Sequence, residues 1–259
     1  LYYLSRPTEN TGREWAPLVK QAQDAAYLGT FDKALDLLSQ MSQMDTDAYV
    51  LKAKIGFLTG RENIITSALT DGIKAHPQHP VLLAQRAQYR AHYQGRPDLA
   101  LRDAQTAAAH IDGLAVSDAV DVMLTLSKIQ LERGMDHTAR QTVERGISRA
   151  KNAEVPPNNL ASLYVHQADI LLHQHRPAAA KAVMQNALAI APDLGVDLLT
   201  LGQIDTLYGD MTSAQAAYLA ASANNPSYST GLLRLAESYG QLGQVAVAKQ
   251  QLDAADRAD

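Results

Sequence analysis

One pattern of residues occurs three times at a fixed interval in the last hundred residues of the chain. It reads Ala168, Leu171, Ala180, Met184, Ala187, Pro192, then Gly202, Asp205, Ala214, Tyr218, Ala221, Pro226, and then Ala236, Tyr239, Ala248, Leu252, Ala255. Each copy is displaced by 34 residues from the one before. A constant period of this length marks a stacked array, in which every unit buries its apolar face against its neighbours. Each unit holds two stretches of helical apolar spacing with a turn between them. In the second copy Leu198, Leu201, Gly202 and Asp205 mark one face of a first helix, Gly209 the turn, and Ala214, Tyr218 and Ala221 one face of a second. The small residues fall where two helix backbones must approach closely, because a packed interior has no spare volume. The proline ends the second helix, since it has no N–H to donate and clashes with the preceding turn.

These positions resemble the tetratricopeptide repeat (TPR). The match comprises a large residue (Tyr164, Leu198, Leu232), a small one four on (Ala168, Gly202, Ala236) and a turn glycine (Gly209, Gly243). It continues with Ala180, Ala214 and Ala248, with Ala187, Ala221 and Ala255, and with the closing Pro192 and Pro226. The resemblance implies an all-α fold, a right-handed TPR-type α-solenoid of antiparallel helix pairs, whose first helices line a concave groove.

Weaker copies precede the regular ones. The first runs from about Glu14 with Leu18, Ala22, Gly29, Ala34, Leu38 and Met41 as its marks. The second starts near Thr46 and departs from the pattern at Ile65, where a small residue is expected. The third starts near Val81, with Gln88 and Ala91 off pattern. The fourth starts near Val120 with Met123, Ser127, Gly134 and Ala139, following a long second helix or a loose link over Ile111 to Ser117. Residues 1–13 are read as an extended lead-in, 14–149 as repeats 1–4, 150–160 as a loop broken by Pro156-Pro157 and Asn158-Asn159, and 161–259 as repeats 5–7. The chain opens on Leu1 and its last copy stops before a closing proline, so more protein is expected beyond both ends.

Composition narrows the function classes. Lys and Arg number 17 against 17 Asp and Glu before residue 151, and 6 against 10 from residue 151 onward, for a net charge of −4. No basic block points to nucleic acid or an anionic membrane, and no apolar run approaches the roughly 20 residues that span a bilayer. With no cysteine, disulfides, thiolate metal sites and cysteine nucleophiles are excluded. No phosphate-binding glycine loop and no nucleophile elbow occur. Asp32, Asp47, Asp98 and Asp193 sit at helix starts, where carboxylates cap or complement the helix dipole. No enzymatic activity and no cofactor are expected.

Ligand contacts in TPR grooves come mainly from certain first-helix positions. Carried over by register, these are Lys20, Gln23 and Tyr27 in the first repeat, Lys54 and Phe57 in the second, and Arg86, Tyr89, His92 and Tyr93 in the third. Lys128 follows in the fourth, His166, Asp169 and His173 in the fifth, and Arg234 and Glu237 in the seventh. Arg and Tyr commonly anchor interfaces. Tyr89 and Tyr93, one turn apart, form either a stacking platform or packing between repeats. The Asn positions of the two-carboxylate clamp in chaperone-binding TPRs are absent, so a chaperone C-terminus is not expected. His166, Asp169 and His173 share a helix face and are the one metal-ligand candidate, although two turns separate the histidines by about 10.5 Å along the axis.

The expected role is a scaffold that takes a protein or peptide in its concave groove. The alternative is a segment of a bacterial periplasmic or envelope protein for exopolysaccharide export or assembly, suggested by the Ala- and Gln-rich, cysteine-free, mildly acidic composition. A cytoplasmic location is the alternative to the periplasm or envelope. Self-association through terminal repeats is also expected.

Overall fold

The computed structural model describes residues 16–153, 155–191, 195–224 and 229–257, and among them every regular element is an α-helix. They divide into two compact units, with the chain passing from one to the other between Pro156 and Pro157. In the first unit the helices are α1 (Ala16–Tyr27), α2 (Phe31–Ser39), α3 (Thr46–Thr59), α4 (Glu62–Ala75), α5 (Pro80–His92), α6 (Pro97–Ala109), α7 (Val116–Glu132) and α8 (Asp136–Lys151). In the second they are α9 (Pro157–His173), α10 (Pro177–Ile190), α11 (Gly195–Tyr208), α12 (Met211–Asn224), α13 (Ser229–Gln241) and α14 (Val245–Ala255). Consecutive odd and even helices pair as hairpins, and each hairpin packs on the next within its unit. In the first unit the odd helices α1, α3, α5 and α7 also lie side by side. Each unit is an α-solenoid of TPR type. The lead-in 1–13, the closing Pro192 and Pro226, and the helix-start Asp193 lie outside the described residues.

Small residues set the hairpin spacing. Ala22, Ala53, Ala87, Ser127 and Ala168 on first helices are fully buried, as are their second-helix counterparts Ala34, Ile65, Ala100, Ala139 and Ala180. Ile65 fits at a position built for alanine because Gly56 faces it. A Cβ on Gly56 would lie 2.7 Å from Ile65 Cγ1 and 2.9 Å from the Ile65 backbone nitrogen. The bulk has moved from one helix of the pair to the other.

The turns close by a repeated device. The residue after the turn is bonded through its N–H to the carbonyl five residues back: Thr30 to Ala25, Arg61 to Gly56, Met135 to Gln130, Arg176 to Leu171, Asp210 to Asp205 and Gln244 to Tyr239. This is the long bond of a Schellman cap, and it requires a left-handed residue just past the helix. Gly29, Gly60, Gly134, Gly209 and Gly243 supply it, and His175 does so at φ 55° in the fifth hairpin.

The third hairpin differs. Arg96 N–H reaches back six residues, to Arg90, so this turn holds one residue more. The buried small residue facing Ala100 and Ala104 is therefore Ala87, and the first helix is shifted by one from the register that places Gln88 there. The fourth hairpin starts earlier than Val120, at Val116. Its predecessor's second helix is not long; the spacing is taken up by residues 110–115, with Ile111 buried as a plug. The loop expected over 150–160 is shorter, because α8 continues to Lys151 and α9 begins on Pro157. Proline is accommodated at a first helical position, where its missing N–H has no helical acceptor to lose.

Candidate functional site

With the register set by Ala22, Ala53, Ala87 and Ser127, the residues one and five after each of these are accessible in all four hairpins, whereas the position two before is exposed at Lys20 and buried at Leu51, Gln85 and Thr125. In the first unit Lys20, Tyr27, His92 and Lys128 are exposed, and Gln23, Lys54, Phe57 and Gln88 are half-buried. Gln88 donates from Nε2 to the Thr125 hydroxyl on α7 at 3.1 Å. Gln85 donates from Nε2 to the Val50 carbonyl on α3 at 3.1 Å. Its other terminal atom, Oε1, is buried without a hydrogen-bond partner. The two glutamines tie α5 to the odd helix on either side of it.

Arg86 and Tyr89 are corrected by this register. The one-residue shift turns Arg86 toward α6 of its own hairpin and Tyr89 against α4 of the preceding one. Arg86 donates from Nε and Nη2 to the two carboxylate oxygens of Asp103 on α6, at 2.7 and 2.8 Å. Arg90 donates to the same carboxylate at 2.5 Å. Asp103 is buried, and a bidentate pair with a second guanidinium is the arrangement that makes a buried carboxylate tolerable. Tyr89 is buried, with its hydroxyl donating to Glu62 Oε1 at 2.7 Å and lying 3.2 Å from the Thr66 hydroxyl. Tyr93 stacks on Tyr89 with ring centroids 5.6 Å apart and meets Phe57 at 6.0 Å. Tyr89 is thus the packed member of the tyrosine pair, and Tyr93 the half-exposed one.

In the second unit His166 is buried, Asp169 half-buried and His173 exposed. Among the described residues no group of three His, Cys, Asp or Glu side chains comes together to hold a metal ion. The metal candidate fails because two turns of helix place one histidine in the hairpin and the other at its solvent end. Arg234, half-buried, donates from Nη1 to Glu237 Oε2 at 2.8 Å, and this carboxylate holds its pKa above the ordinary arginine value. Asp32 and Asp98 lie in first helical turns and each also pairs with an arginine of the next hairpin, Arg61 at 2.5 Å and Arg133 at 2.7 Å. The Arg61 guanidinium holds the Asp32 carboxyl below its usual value.

Gln85 and Gln88 are the residues that sequence reasoning missed. The missing signal was the interval between the small residue and the turn glycine. It is seven residues in Ala22–Gly29, Ala53–Gly60, Ser127–Gly134, Gly202–Gly209 and Ala236–Gly243, but eight from Ala87 to Gly95.

No family model matches the chain. Human tetratricopeptide repeat protein 7B is 33% identical over 97 residues, which cover 38% of this chain and 12% of that protein. The chain therefore corresponds to a small part of that relative's length. Among solved structures, the Cut9–Hcn1 assembly of the APC/C is similar with a TM-score of 0.72 at 15% identity, over 96% of this chain and 48% of that one. PilW, described as a type IV pilus biogenesis factor, is similar at 0.67 and 12% identity, over 87% and 98%. Pseudomonas aeruginosa pilF is similar at 0.63 and 13% identity, over 88% and 97%. At these identities the likeness is one of fold, and that fold is the TPR-type scaffold. Among the described residues no helix is long and apolar enough to cross a membrane.

Proposed function

We propose that the protein is a non-enzymatic scaffold whose first unit takes a protein segment along the odd-helix face formed by α1, α3, α5 and α7. The observation that carries this reading is the side-by-side row of odd helices, along which Lys20, Tyr27 and His92 are exposed and Lys54 and Phe57 half-buried. Lys20, Lys54 and His92 offer side-chain N–H groups to the carbonyls and carboxylates of such a segment. Tyr27 and Tyr93 add exposed aromatic surface, which anchors interfaces at low entropic cost. The comparisons do not support the polysaccharide-export reading.

The test uses two charge-reversed variants beside the parent chain in pull-downs from cell extract. Lys20→Glu/Lys54→Glu alters the odd-helix face. Lys74→Glu/Arg102→Glu makes the same change of charge on exposed sites of α4 and α6. A protein partner lost by the first variant and retained by the second supports the assignment. Retention by the first and loss by the second would move the site to the even helices.

A further inference from the structure

The sign of charge separates odd from even helices in the middle of the first unit. On α3 and α5 four Lys and Arg stand against one acidic residue, Asp47 in the first turn of α3. On α4 and α6 two Lys and Arg stand against four Asp and Glu. On the odd helices a cation also shares a face with an aromatic ring. Lys20 and Tyr27 are two turns apart on α1, and Lys54 and Phe57 one turn apart on α3. The Phe57 ring meets Tyr93 at the end of α5, with centroids 6.0 Å apart. Tyr93 remains 45% exposed, although Tyr89, on which it stacks, is buried. His92 beside it is exposed, and α5 carries no carboxylate. Phe57 and Tyr93 thus form an aromatic shelf open to solvent and bordered by Lys54 and His92.

We infer that the segment taken by this face is an acidic one, which sets carboxylates at Lys20 and Lys54 and an aromatic or branched aliphatic side chain on the Phe57–Tyr93 shelf. The inference rests on the odd-helix reading above and adds the chemistry of the occupant. Charge complementarity selects it, because a basic segment would meet the ammonium groups of α1 and α3 and be drawn to α4 and α6 instead. Asp103 strengthens the same bias: one carboxylate answers both Arg86 and Arg90, so a positive charge is left in excess beside the row. A single-stranded nucleic acid also combines anions with rings that stack, but it needs a positively charged groove that tracks its whole backbone. Here the cations are few, the neighbouring even helices are acidic, and the chain carries a net charge of −4.

The experiment selects short random peptides, displayed on phage, against the full chain, and measures the winners as synthetic fluorescent peptides by polarisation. Circular dichroism checks that each variant stays helical. Winners rich in Asp and Glu, with Tyr, Phe or Leu among them, are expected. Lys20→Glu/Lys54→Glu is expected to weaken their binding about tenfold, and selection on that variant is expected to return Lys- and Arg-rich peptides instead. Tyr93→Ala is expected to weaken the acidic winners without changing the sign of charge selected. Winners that both variants weaken but that carry no excess of acidic residues would overturn the inference and leave the odd-helix reading standing. Winners indifferent to both variants would count against the inference and that reading together. A selection that returns no peptide overturns the inference, and the pull-down above then decides the reading by itself. Tighter binding of oligo(dT) than of any winner, lost in Lys20→Glu/Lys54→Glu, would give the face to single-stranded nucleic acid.

Discussion

In the second unit the small first-helix position recurs every 34 residues, at Ala168, Gly202 and Ala236, whereas in the first it advances by 31, 34 and 40, through Ala22, Ala53, Ala87 and Ser127. The contacts differ in parallel. The second unit relies on glycine against bulk: Gly202 lies under the Tyr218 ring and Gly231 against Ser222. The first unit uses the same device at Gly56 against Ile65 and adds a denser set of polar ties in and around its third hairpin, with Asp103 between Arg86 and Arg90, Gln85 on Val50 and Gln88 on Thr125; the second unit has the tie from Lys181 to Asp205 between α10 and α11. Glycine keys, each of which admits one residue size, thus serve both units. The extra residue of the third hairpin falls where these hydrogen bonds are concentrated, and the hairpin stays closed.

The steric half of that comparison is broken most directly at Gly202. A Cβ there would lie 2.6 Å from Tyr218 Cδ1, so Gly202→Leu is expected to cost about 3 kcal/mol, the upper range for overpacking a core. Gly240 is the control, because a Cβ on it meets nothing within 4 Å. Gly240→Ala in α13 is expected to stabilise by about 0.5–1 kcal/mol, the ordinary helix-propensity gain. Urea unfolding of both variants checks the pair, and equal effects at the two glycines would remove the steric account.

The Gly56–Ile65 exchange makes the first unit's irregularity testable. Ile65→Ala alone removes a fully buried side chain, with an expected loss of about 2–4 kcal/mol. Gly56→Ala alone drives a methyl into Ile65, at about 2 kcal/mol. The double variant restores the ordinary arrangement of side chain on the first helix and alanine on the second. It is expected to be less destabilised than the sum by about 1 kcal/mol, a coupling of the size seen for residues in contact. Strict additivity would mean that the two positions do not compensate one another.

How much was legible follows from the same contacts. The hairpins could be read because helical apolar spacing and turn glycines recur, and all seven pairs are present among the described residues. Ile65 looked like a defect because its compensation lies on another helix, at Gly56, and a single position cannot show an exchange of volume. The third hairpin was misread because the step from Gly95 to Ala100 is regular while the extra residue lies before the glycine. The first helix there carries alanines at 84, 87 and 91, so several registers offer a small residue. That one-residue ambiguity exchanges Gln85 for Arg86 and Gln88 for Tyr89 at corresponding positions of the repeat. In a helix one residue is about 100° of rotation, enough to exchange an open face for a packed one.

His175 sharpens the comparison from the stabilising side. It holds the left-handed position that glycine fills in the other turns of this unit, where a Cβ is sterically disfavoured. His175→Gly is expected to raise stability by about 0.5–1 kcal/mol, after allowance for glycine's greater entropy when unfolded. An unchanged or lower urea midpoint would show that the imidazole contributes contacts that offset the backbone.

The smallest effect expected is a pH dependence of the first unit at the joint between α4 and α5. His79 precedes α5, and its Nδ1 is buried without a hydrogen-bond partner. Burial pushes its pKa below the usual 6.5, His76 adds to this, and Asp118 opposes it. The sign follows from proton binding. Below about pH 6.5 the unfolded chain takes up a proton at this position that the folded chain resists. The contribution of His79 is therefore fully present above that pH and is lost as the pH falls toward the lowered folded value. His79→Gln is expected to flatten the decline in urea midpoint between about pH 7.5 and about pH 5. Asp118→Asn, which removes the opposing carboxylate, is expected to steepen it. If both variants followed the parent curve, the acid sensitivity of this unit would belong to its carboxylates, and the joint would be held by the α4–α5 packing alone.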